Sequence, residues 1–207
     1  MTRPALAALA VLILLPGCAA LGALAGGGGA ARDAYELRGN LPPDRPGARS
    51  ALHVIVEPPV AGGSLDTERI LIRPNRVQAQ YLPDGEWTDT PARMLQSALV
   101  REIDGTGAFR YVGREPLGAG GDFALLTEIT DFQAELGPQG QVATHLRISA
   151  KLVREMDLEV VAQQVFEVSV PAGSTATADL IPALDAAMNQ IVARMTAWTV
   201  ATLAGRV

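Results

Sequence analysis

The strongest hydrophobic patterning lies in the second half of the chain. Across residues 141–153, Val142, Leu146, Ile148, Ala150 and Leu152 alternate with His145, Arg147, Ser149 and Lys151. A strand there has one apolar and one polar face. Residues 123–136 form a long apolar-rich strand of mixed facing, closed by the tight-turn signal Gly137-Pro138-Gln139-Gly140. After a polar turn over 154–157, Phe166, Val168 and Val170 alternate with Glu167 and Ser169 within a third strand over 160–170. Three consecutive strands of this kind predict an antiparallel meander with one wetted face.

The first half carries shorter signals. A leading strand is expected over 35–38, a loop over 40–47 with its three prolines, and a half-buried strand over 52–57 in which Leu52, Val54 and Val56 face one way. Pro58-Pro59 ends that strand and Gly62-Gly63 turns the chain. Strands over 70–73 and 76–82 are expected to be joined through Pro74-Asn75 as a type II turn, with Val77, Ala79 and Tyr81 on one face. Residues 109–112 return as another strand.

Two helices stand out. Thr90-Pro91 supplies a capping hydroxyl and a proline at the first helical position, Met94, Leu95, Ala98, Leu99 and Ile103 recur at helical spacing, and Gly105 with Gly107 stops the run. The second helix is capped by Asp179 with Pro182 in its first turn, and carries the stripe Leu184, Met188, Ile191, Met195 and Trp198. Such a stripe docks on the domain's own sheet or on a partner helix. In total the chain shows seven or so strands with one helix in the middle and one at the end, and no solenoid-type repeat.

The N-terminus changes the picture. Arg3, an apolar run over 5–15 and then Leu15-Pro16-Gly17-Cys18 have the layout of a secretory leader, and the run is too short for the roughly 20 residues a membrane span needs. Leu-x-Gly-Cys at this position resembles the lipobox of bacterial lipoproteins. The resemblance implies cleavage before Cys18, lipidation of its thiol and acylation of the new amino terminus. Ala19 follows where inner-membrane lipoproteins tend to carry Asp, so the resemblance favours the outer membrane, on its periplasmic face. The expected division is a signal peptide over 1–17, a lipidated Gly/Ala tether over 18–33 and one folded domain over 34–207. Between Cys18 and Tyr35 the tether spans roughly 20 to 25 Å. Its four consecutive glycines follow no strand and precede no Lys-Ser/Thr, so they do not read as a phosphate loop.

Cys18 is the only cysteine. With it lipidated, the folded body has no disulfide, thiolate nucleophile or cysteine metal ligand. Loss of Arg3 takes 17 basic residues to 16 against 22 acidic ones, a net charge of about −6, which argues against nucleic acid as a partner. Lys151 is the sole lysine. A hydrolytic site needs a nucleophile and a base, yet the only histidines, His53 and His145, sit on polar sides of strands outside any Ser/His/Asp or Cys/His pattern. A two-histidine metal site requires their strands to be neighbours and lacks a third Asp or Glu at ligand spacing. No catalytic residue, metal site or cofactor is therefore expected.

Gly63-Ser-Leu65-Asp66-Thr-Glu-Arg69-Ile70, then Tyr81, then Trp87-Thr-Asp-Thr-Pro91 leading into the helix and Gly107-Ala-Phe109, are similar to the ABC-type transport auxiliary lipoprotein family, whose members include paraquat-inducible lipoprotein C. The likeness covers about residues 34–203. It implies an α+β fold: a single domain whose mixed, mostly antiparallel sheet carries two amphipathic helices packed on one face. It also implies a non-catalytic anchor partnering a mammalian-cell-entry (MCE) type substrate-binding protein and its ABC permease and ATPase, moving lipid or other hydrophobic cargo across the envelope. Some relatives form homo-oligomeric rings. Leu65, Asp66, Arg69, Tyr81 and Trp87 form the signature, with a structural role or a partner-contacting one. Two alternatives remain open at this level: an outer-membrane assembly or chaperone lipoprotein of the lipopolysaccharide type, and a lipid-tethered periplasmic ligand-binding protein or enzyme with a deep polar pocket containing His53 or His145.

Overall fold

Alternation of apolar and polar residues produces the three-strand meander, which runs from the centre of the sheet to one edge. The strands are β1 (Asp33–Tyr35), β2 (His53–Val56), β3 (Val60–Ala61), β4 (Arg69–Asn75), β5 (Gln78–Trp87), β6 (Tyr111–Gly113), β7 (Phe123–Leu136), β8 (Val142–Arg154) and β9 (Glu159–Ala172). The helices are α1 (Pro91–Gly105) and α2 (Thr177–Leu203). The computed structural model describes residues 31–39, 50–118 and 120–205. Cys18, the expected leader and most of the expected tether, and the proline-rich 40–47, lie outside the described residues.

The sheet is mixed. Antiparallel ladders join β4 to β5, β7 to β8 and β8 to β9, while shorter parallel ladders join β1 to β5, β2 to β6 and β7, and β3 and β4 to β7. One edge of β7 carries β8 along its whole length. The other edge carries β2, β3 and β4 in succession, beside Phe123–Leu125, Glu128–Ile129 and Ala134–Glu135. The mixed facing of β7 has a local cause: the β7/β8 register slips between Ile129↔Ile148 and Asp131↔Arg147, leaving Thr130 as an extra residue. Leu125, Thr127 and Ile129 point inward before this bulge, and Phe132 and Ala134 after it.

Four expectations are corrected. The leading strand is Asp33–Tyr35, two residues earlier than 35–38, because Asp33, Ala34 and Tyr35 pair with Gly85, Glu86 and Trp87. The β4/β5 hairpin turns at Arg76-Val77, not Pro74-Asn75: the Asn75 Oδ1 accepts from the backbone N–H groups of Val77 (3.1 Å) and Gln78 (3.0 Å). Neither turn residue has the positive φ of a type II turn, and a register shift between Ile72 and Asn75 accommodates Pro74. β5 also continues through Pro83 to Trp87, because the jump from Leu71↔Tyr81 to Arg69↔Glu86 bulges its middle outward. Gly85 lies so close to Ile70, Tyr35 and Thr177 that a Cβ would stand 3.0–3.1 Å from their side chains. Finally, Asp179 does not cap α2. That helix starts at Thr177 behind Ala176, and Asp179 in its first turn accepts a 2.6 Å bond from the Ser174 hydroxyl. Pro182 thereby falls in the second turn, inside the helix.

Both helices cover the inner face. α1 begins as expected, with the Thr90 Oγ1 accepting from the Arg93 N–H at 3.5 Å and Pro91 at its first position. Its buried Gln96 donates to the Val56 carbonyl at 2.8 Å, so a polar side chain finishes the end of β2. The α2 stripe is internal: Leu184, Met188, Ile191 and Met195 are fully buried against β8 and β9, and Trp198 meets Phe166 edge-on with centroids 5.6 Å apart. Thr144, also buried, donates to the carbonyls of Val170 and Ala183. Strand β9 is the outer edge. Arg194 donates to its Glu167 carbonyl at 3.1 Å, and Pro171, four residues on and in the same outward phase, offers no N–H to an incoming strand.

One buried group is left unsatisfied on α1. The Glu102 side chain is enclosed, its Oε2 has no hydrogen-bond partner among the described residues, and burial raises its pKa above the ordinary carboxylate value. The native state then holds the proton more tightly than the unfolded chain, so stability falls as pH rises from the unfolded value through the folded one. Glu102→Gln is expected to raise the melting temperature at pH 7 and to flatten its pH dependence across that window, measured by thermal unfolding from pH 4 to 8.

Candidate docking surface

The signature residues meet at one corner. A short 3-10 turn, Gly63–Leu65, precedes β4, with Gly63 in the left-handed region at φ 59°. Leu65 is buried, Asp66 is exposed at the end of the turn, and Arg69 and Tyr81 are half-buried. The Arg69 guanidinium stands 5.1 Å from the Tyr81 ring centroid, a contact worth about 0.5–1 kcal/mol at such a site. The Tyr81 hydroxyl donates to the Ser64 carbonyl at 3.2 Å, and the Trp87 N–H donates to the Glu68 carbonyl at 2.7 Å. Trp87 itself is 2% exposed and lies edge-on to Phe132, with centroids 6.0 Å apart. The corner therefore pins the turn to the β4/β5 hairpin, and only Asp66 and the Arg69–Tyr81 pair reach solvent.

The outer face of the sheet divides into two ends. At the polar end, buried Gln133 donates to both Asp131 and Glu135 at 2.9 Å, while its Oε1 accepts from the Phe132 N–H at 2.8 Å. Across β8 and β9, Arg147 pairs with Glu167 at 3.0 Å and His145 stands 3.7 Å from the same carboxylate. Pairs this exposed contribute about 0–1 kcal/mol. His145 opposes Gln133, whereas β2 places His53 beside Asp122, whose Oδ2 accepts from the His53 N–H. Eleven residues of strand, about 36 Å, separate the two positions. The histidines do not meet, and among the described residues no group of three His, Cys, Asp or Glu could hold a metal.

The other end is apolar, which sequence periodicity missed. Ala124, Val153 and Val160 form one cross-strand row; Leu126 lies in the next, opposite Lys151, and Val60 and Val165 in the one beyond, flanking Glu128 and Ser149. Val60 is 64% exposed, Leu126 40% and Leu158 77%. Beside Pro58 and Pro116 they line an open groove of about 590 Å³, joined by a hollow of about 300 Å³ at Val60, Leu126 and Lys151. The β2 strand is not half-wet here, since Ile55 is fully buried under Gly121, where a Cβ would come within 2.6 Å of it. The unbroken apolar run Phe123–Leu126 and the apolar turn residues Met156 and Leu158 were the available signals. Neither histidine lines these hollows, and among the described residues no helix is long and apolar enough to cross a membrane.

Comparison with known proteins places this arrangement. Among curated proteins there is no sequence match. A Xanthomonas campestris protein of the DUF330 family shares the structure with a TM-score of 0.74 and 26% identity, over 82% of this chain and 95% of that one. A second solved structure, of an uncharacterized protein, shares the fold with a TM-score of 0.61 at 15% identity, over 81% of this chain and 98% of the other. Residues 35–196, from β1 to late α2, match the family model described as the ABC-type transport auxiliary lipoprotein component, and the chain belongs to that family.

Proposed function

We propose that this protein is a non-catalytic docking component, held by lipid on Cys18 to the periplasmic face of the outer membrane. It serves an ABC system whose MCE-type substrate-binding protein carries lipid or another hydrophobic cargo. The observation that carries this reading is the family match over 35–196 on a chain whose apolar run over 5–15 closes in Leu15-Pro16-Gly17-Cys18. The domain's side-chain chemistry supports it. The ion pairs run along solvated strand faces, the histidines are far apart, and the surface carries a corner of aromatic and charged residues and an apolar groove. Such features supply binding energy, not bond chemistry. On this reading Asp66, Arg69 and Tyr81 contribute contacts at the rim of a partner interface, while Leu65 and Trp87 hold the corner in shape.

The test is crosslinking in intact envelopes, followed by capture of this chain and mass spectrometry. An MCE-domain protein and its ABC permease and ATPase should be enriched together. Capture of a lipopolysaccharide-assembly barrel in their place would overturn the reading.

A further inference from the structure

We propose that the apolar groove on the outer face is the seat for a cationic amphipathic segment of a protein partner. This rests on the docking function above and names the surface that performs it. Apolar Pro58, Val60, Leu126, Val153 and Leu158 form the floor and walls, and the groove stays open to solvent. Its charged residues are Glu57, Glu128 and Glu155, opposed by Lys151 alone. Neighbouring Arg154 adds no free charge, because Asp157 and Glu159 hold it at 2.8 and 2.9 Å. An apolar trough rimmed by an excess of carboxylates repels anionic headgroups and fatty-acid carboxylates and attracts Arg or Lys carried on an apolar segment.

The hairpin tip adds an independent sign. Leu158 is the one non-glycine described residue at positive φ, 59°, and its side chain is 77% exposed. The left-handed conformation costs a leucine about 1–2 kcal/mol, and glycine would relieve it. Here backbone strain and the cost of leaving an apolar side chain in water both act against the leucine, and its position beside the groove gives it a use as one wall. Backbone strain of this kind concentrates at binding sites.

Lys151, the only lysine, makes the surface readable. The full chain, carried in phosphatidylcholine nanodiscs with empty discs as the blank, is titrated with two acetylated peptides of identical leucine pattern, one bearing arginine and the other glutamate. The arginine peptide should bind saturably, bind more weakly as salt rises, and protect Lys151 from an amine-acylating reagent. Leu126→Arg and Leu158→Arg should each weaken it by about tenfold or more at unchanged melting temperature. Equal binding of both peptides, no binding of the arginine peptide, or indifference to both variants overturns the proposal. Self-association of the chain that Leu126→Arg abolishes also overturns it, by making a second copy the occupant. The envelope crosslinking experiment separates this failure from that of the function. If Leu126→Arg still captures the MCE protein, docking occurs elsewhere and the function stands; if the wild-type chain captures none, the function itself falls.

Discussion

Met188→Asp is expected to leave the domain unfolded at room temperature. Met188 is fully buried on the sheet-facing stripe of α2, between Leu184 and Ile191, opposite the inner faces of β8 and β9. Substitution removes the packing of a long apolar side chain, worth about 2–5 kcal/mol in such cores, and places a carboxylate where no cation is provided. The sum rivals the roughly 5–15 kcal/mol that holds a domain of this size together. Met188→Leu keeps the volume and should cost less than about 1.5 kcal/mol. Urea unfolding followed by circular dichroism distinguishes the two. A stable Met188→Asp domain would mean that the stripe is free, contrary to its burial here.

Cys18→Ser is expected to move the protein from the membrane pellet to the soluble periplasmic fraction. On the proposed lipidation, the thiol and the new amino terminus carry several acyl chains. One chain binds a bilayer only marginally, at about 0.8 kcal/mol per buried CH₂, and two or more hold it stably. Serine offers no thiol to alkylate, so anchoring should be lost completely, not graded. The readouts are fractionation and the intact mass of the native protein, which should begin at Cys18 and carry fatty acid. A variant that stays membrane-bound after salt and carbonate washes would refute lipid anchoring through this residue.

How much of the molecule was legible follows the range of the forces involved. The β7, β8 and β9 boundaries were read to within a few residues because alternation over a dozen positions is written locally, in which side chains can face water. The start of α1 was legible for the same reason: Thr90 and Pro91 act on the first turn of their own helix. The Asn75 turn was misread since Pro74-Asn75 satisfies a local turn rule equally well, and the pairing of β4 with both β5 and β7 selected another solution. The signature corner was visible as a set of residues, though not as a division into buried Leu65 and Trp87 and exposed Asp66.

By itself the sequence determined the apolar N-terminal run that closes at a single cysteine, the absence of any other thiol, the meander and both helix stripes. Each depends on identity, spacing or count along the chain. Only the tertiary structure decided that Thr130 bulges and reverses the phase of β7, that the histidines stand far apart, and that Leu126, Val60 and Leu158 gather beside three carboxylates. Those facts depend on register between strands distant in sequence. Register is set by the joint burial of the whole sheet against its helices, not by any one segment.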